Sequence, residues 1–116
     1  MTNSAANASA FYREVSASQK LWTVRDKAGF PAPLVDGNKR SQPFWSSLAR
    51  AKKIIATVPA YADFEPVEIK WQDFTDKWVP GLTKDQTFVG VNWSGPSATG
   101  YDIHPIEVKT IVEAAT

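Results

Sequence analysis

A chain of 116 residues, 43% apolar and 22% charged, has the make-up of one globular domain with no need of a disulfide or metal to fold. It holds no cysteine and one histidine, His104, but five tryptophans. The groups that carry most nucleophilic, acid–base and zinc chemistry are thus nearly absent, while aromatic surface is plentiful. A net charge of +1 is too small to imply nucleic acid or an anionic membrane, and no apolar run approaches the roughly 18 residues of a spanning helix.

Residues 1–4 are polar enough to fray and lack the basic start and apolar stretch of a secretion signal, so cytoplasmic residence is the expectation. Ala8, Phe11, Tyr12 and Val15 then recur at the spacing of an amphipathic helix, for which Asn3 or Ser4 supplies a cap. Leu21–Arg25 alternates as a strand, with Trp22 and Val24 on one face. Asp26–Gly29 reads as a turn. Phe30–Val35 returns as a strand, confined to an edge by Pro31 and Pro33. After a turn at Asp36–Asn38, a third strand over Gln42–Trp45 would complete a meander.

Ser46 is placed to cap a helix over Ser47–Val58, whose Leu48, Ala51, Ile54, Ile55 and Val58 share one stripe. Pro59 ends it. A short strand at Pro66–Ile69 leads into a helix from Trp71 to Val79, which Pro80 terminates in a Pro80-Gly81 type II turn. Thr87–Asn92 is the clearest strand. A Gly/Ser/Pro loop connects it to a strand at Tyr101–Ile103, and Pro105 opens a final helix to Ala114. The order α-βββ-α-β-α-ββ-α, with strands arriving in hairpins, predicts a single α+β domain spanning residues 1–116. Helices would lie on a mostly antiparallel sheet of five to six short strands.

Several stretches taken together resemble a known family. These are Pro43-Phe44-Trp45-Ser46, Pro66-Val67-Glu68-Ile69 before Phe74, Trp78-Val79-Pro80-Gly81-Leu82, and Val89-Gly90-Val91-Asn92-Trp93 followed by Gly100 and Pro105. In that order they resemble the small bacterial proteins of domain of unknown function 2750, over roughly residues 8–114. The chain departs from that pattern at Trp71, where a smaller aliphatic residue is expected, and in a longer loop before Gly100. The resemblance implies no activity. A fainter pattern, Phe44 to Ser46 together with Asn92, Gly100 and Pro105, is similar to the N-terminal domain of SseB-type proteins.

No motif assigns catalytic residues. His104 with Asp102, two apart on a strand, is the one acid–base pair on offer, and Ser94 or Ser97 would complete a triad-like set for a small hydrolase or transferase. Capping of the Pro105 helix by His104 or Asp102 needs only local geometry and is the expected role; no Gly-x-Ser-x-Gly elbow favours the triad. Asp63, Glu65, Glu68, Asp73 and Asp76 lack the spacing of a cation loop and read as solvated faces, so no metal and no cofactor is expected.

Lys39, Arg40, Arg50, Lys52 and Lys53 form a basic block beside Phe44 and Trp45. A helix keeps such residues on its polar face anyway, and nucleic-acid binding through Lys39, Arg40, Arg50 and Lys53 is a second alternative. Trp22, Trp71 and Trp78 fall on amphipathic patterns and read as core. Trp45 and Trp93 sit at strand ends, where they either close the core or line a groove. The favoured expectation is a non-enzymatic cytoplasmic module that binds a protein or peptide, with Trp45, Asn92 and Trp93 rimming the contact and an edge strand open to augmentation. Monomer and homodimer both remain open.

Overall fold

A computed structural model describes residues 3–116. Helix α1 (Ser4–Ser18) is capped by Asn3, whose Oδ1 accepts the Ala6 N–H at 2.9 Å, so two residues expected to fray are held in place. The helix buries Ala8, Phe11 and Val15, as their spacing predicts. It stops at Gln19, which turns left-handed and returns its N–H to the Val15 carbonyl. Strand β1 (Lys20–Arg25) follows at once, sending Leu21 into one core and Trp22 and Val24 into another. Gly29, at φ 116°, closes the Asp26–Gly29 turn.

Strand β2 is only Leu34–Asp36, because Pro31 and Pro33 have no N–H to give a ladder. It pairs antiparallel with β3 (Lys39–Phe44) and lies at a sheet edge, as its prolines implied. The expected meander does not form. Instead β1 pairs antiparallel with β4 (Glu65–Lys70) as a separate two-stranded ribbon. The main sheet runs β2-β3-β5-β6, with β5 spanning Thr87–Ser94 and β6 Thr99–Ile103. β3 and β5 are parallel, so residues 45–86 form the crossover between them. All other pairs are antiparallel. Reciprocal N–H···O bonds between Trp22 and Trp45, at 2.8 and 2.7 Å, stitch ribbon to sheet.

Helix α2 (Leu48–Thr57) is capped by Ser47 rather than Ser46: Ser47 Oγ accepts the Arg50 N–H, and Ser46 is buried one residue upstream. Ala51 and Ile54 face inward, while Leu48 is left 38% exposed. Pro59 ends α2 by starting a 3₁₀ turn, Pro59–Tyr61. After β4 the helix does not stop at Val79. It runs as α3 (Trp71–Asp73), a π-turn (Phe74–Trp78) and α4 (Val79–Lys84). The wider π-turn lets the Val79 N–H reach the Phe74 carbonyl five residues back. Pro80 then falls in the first turn of α4, where a missing N–H costs little. Helix α5 (Pro105–Ala114) closes the fold.

Two apolar cores result. In the first, Phe44, Val89 and Val91 of the main sheet meet Phe11 and Val15 of α1, Phe74, and Val108 and Val112 of α5. Phe44 meets Phe74 and Trp78 edge-on at 5.2 and 5.6 Å. In the second, Val24, Trp45, Ile54, Val58, Tyr61 and Trp93 lie among the ribbon, α2 and the 3₁₀ turn. Strand β5 feeds both. Strict alternation would put Trp93 on the face of Val89 and Val91, but the register shifts after Val91 and Asn92 takes φ 49°. This bulge turns the Trp93 indole onto the opposite face, over Gly90. A Cβ at Gly90 would lie 2.5 Å from Trp93 Cζ2. Gly90→Ala is therefore expected to destabilise the protein by about 1–3 kcal/mol in denaturant titration, with a changed Trp fluorescence spectrum.

Candidate functional site

The bulge is held by a buried polar junction. Asn92 is 1% exposed; its Oδ1 accepts the Ser46 N–H at 2.8 Å, and its Nδ2 donates to the Asn7 carbonyl at 3.1 Å and to Ser46 Oγ at 2.9 Å. Ser46 Oγ donates in turn to Glu14 Oε1 at 2.6 Å. Arg50 grips the same carboxylate with Nε and Nη2, each at 3.3 Å, and Asn7 Nδ2 donates to Ser94 Oγ at 2.8 Å. One connected network thus ties α1, the β3–α2 junction, α2 and the β5 bulge together. Asparagine suits this point twice over: it tolerates left-handed backbone, and its amide serves as both donor and acceptor.

Beside the junction lies an open cleft of about 700 Å³, between the start of α1, one face of α2 and the 94–96 turn. Arg50, Lys53, Ile54 and Thr57, at helical spacing, form one wall; Asn3 and Asn7 stand opposite. Trp45 and Trp93 are 0% and 3% exposed, so they form the floor rather than the rim. Their indole N–H groups are spent on backbone carbonyls, Trp45 on Trp93 at 2.8 Å and Trp93 on Tyr101 at 3.3 Å. The glycines at 90 and 100 make room for the Trp93 ring. Fully burying such rings stabilises by several kcal/mol, which is where most of their surface goes.

The basic block does not form one face. Lys39 lies over the Phe88 ring at 5.6 Å, and Arg40 Nη1 donates to the Ala32 carbonyl at 2.8 Å, both at the start of β3. Arg50 and Lys53 stand beyond its other end, on the cleft. Asp102 and His104 are not brought together either. His104 is exposed and its Nδ1 accepts the Ile106 N–H at 3.3 Å, capping α5. Asp102 lines a separate cavity of about 480 Å³ beside Leu34, Tyr61 and Ala98. Ser94 is engaged with Asn7 at the cleft, away from His104. Among the described residues no three His, Asp or Glu side chains gather as a metal site requires, and no helix is long and apolar enough to cross a membrane.

Glu14, Ser46 and Asn7 are the site residues that sequence reasoning missed. A signal existed: Asn7 and Glu14 are seven apart on α1, flanking the buried Phe11 stripe, where solvent-facing residues would not be expected to recur together.

The model of a family described as proteins of unknown function, DUF2750, matches residues 8–111. The chain belongs to that family. No curated protein matches it, and the SseB-type similarity gains no support. DUF2750 membership carries no activity across, so the cleft has to be read from its own chemistry.

Asn92→Gly keeps the left-handed backbone but strands the buried Ser46 N–H, whereas Asn92→Ala adds strain. Asn92→Ala should cost about 2–4 kcal/mol by urea denaturation and be less stable than Asn92→Gly. At Glu14, burial favours the protonated form, yet the hydrogen bonds from Ser46 and Arg50 and the charges of Arg50 and Arg13 outweigh it and hold the carboxyl below its ordinary 4.5. A carboxyl lowered in the folded state contributes stability in full above its unfolded value and loses it as pH falls through the folded one. The urea midpoint should therefore drop below pH 4.5, and drop less in Glu14→Gln, which is already less stable at neutral pH.

Proposed function

We propose that this DUF2750 protein is a non-enzymatic bacterial cytoplasmic module that binds another protein or peptide through the cleft at α2 and the 94–96 turn. The observation that carries this reading is the cleft itself. It has the volume of a ligand site, a rigid indole floor and polar groups from three separate elements held in place by the Asn92 junction. Trp45, Asn92 and Trp93 serve it from beneath, as support, and the contacting surface is Asn7, Arg50, Lys53, Thr57 and Pro96. A hydrolase or transferase built on His104 and Asp102 has less support, since the two share no hydrogen bond and line different cavities.

A second surface favours peptide capture by strand addition. β2 is exposed along its whole length and has a neighbour on one side only, with Leu34 57% exposed beside the Asp102 cavity. The cleft reading is tested by obstruction. Thr57→Trp places an indole in the cleft from an exposed helical position, whereas Ala56→Trp adds one at the neighbouring exposed position, outside the cleft lining. A partner captured from the native host by the wild type and by Ala56→Trp should be lost with Thr57→Trp. Retention by Thr57→Trp would refute the cleft.

A further inference from the structure

The charge of the cleft says more about its occupant than its shape does. The chain carries 12 acidic residues, and none lines this cleft; among the described residues its charged groups are Arg50 and Lys53. Arg50 is not cancelled so much as positioned. Glu14 takes Nε and Nη2, which fixes the plane of the guanidinium and leaves Nη1 without a hydrogen bond among the described residues. Lys53, one turn further along α2, makes no ion pair among them and keeps all its donors. The guanidinium edge locked in place is preorganised for an anion, because little of its freedom is lost when one arrives, and the exposed Lys53 ammonium adds an unpaired charge to the same wall.

We infer that the cleft receives an acidic peptide segment of the partner, with a carboxylate held between Lys53 Nζ and the outer edge of Arg50. This rests on the cleft being the binding surface. A nucleic-acid backbone fits less well, since it needs a run of phosphate contacts along a continuous basic track. Of the other cations of the basic block, Lys39 and Arg40 lie at the far end of β3, about 13 Å along the strand from Phe44, and Lys52, though on α2, does not line the cleft. Arg40 is already turned to the Ala32 carbonyl. Two cations in a cleft of about 700 Å³ make a discrete anion site rather than a track.

The test is an NMR titration of the full chain at low ionic strength with three probes: a capped hexamer of glutamate, its glutamine counterpart, and a short oligothymidylate. The glutamate hexamer should shift the backbone amides of Lys53, Ser94 and Gly95, and the shifts should fade as salt is raised. Lys53→Glu, an exposed helical substitution, should weaken it about tenfold or more, while Lys39→Glu should leave it unchanged. Equal shifts from the glutamine hexamer would overturn the charge inference and leave the cleft reading standing. No shifts at these amides from either peptide, or oligothymidylate binding that is lost equally with Lys39→Glu, would overturn the inference outright. The cleft reading itself falls only on the Thr57→Trp result, so the two failures are separable.

Discussion

One left-handed residue in a β-strand governs this molecule. At Asn92 the chain adds a bulge to β5, and the alternation of side chains is reset from that point on. Val89 and Val91 serve the helical core, while Trp93 crosses to the opposite face and lies over Gly90 and Gly100. Without that switch the second core would lose its central ring and the cleft its floor. The conformation is sustained because the side chain that tolerates it, buried to 1% exposure, also closes hydrogen bonds to Ser46 and Asn7.

The same junction links stability to surface chemistry. Glu14 answers the Ser46 hydroxyl on one side and the Arg50 guanidinium on the other, so a scaffold bond and a half-buried cation share one carboxylate. What Arg50 presents to the cleft is therefore set from inside the fold. Trp45 and Trp93 act in the same indirect way, as rigid support with both indole N–H groups already bonded to backbone. Aromatic residues abundant enough to suggest a sticky surface are mostly spent on cohesion, and the polar residues above them are what a partner would meet.

Local rules read well from the sequence wherever the deciding contact is within a few residues. The α1 stripe, the Asn3 cap, the Asp26–Gly29 turn, the Pro105 start of α5 and the element order all followed from spacing and backbone preference. The helix break expected at Pro80 failed because a π-turn five residues long absorbed the proline, and such a turn has no local signature distinct from an ordinary helix. The cap expected at Ser46 failed for a distant reason: Glu14 and Asn92, 32 and 46 positions away, engage that serine's hydroxyl.

Sequence alone determined the α+β class, the poverty of reactive groups and the apolar faces of the helices, because each depends on composition or on neighbours along the chain. Tertiary structure decided that β1 leaves its neighbours to join β4, and that β3 and β5 run parallel. It also decided that Arg50 and Lys53 of the basic block face a cleft while Lys39 and Arg40 do not. Strand partners and shared cavities are long-range choices, set by which surfaces meet after the chain has crossed over, and side-chain periodicity carries no record of them.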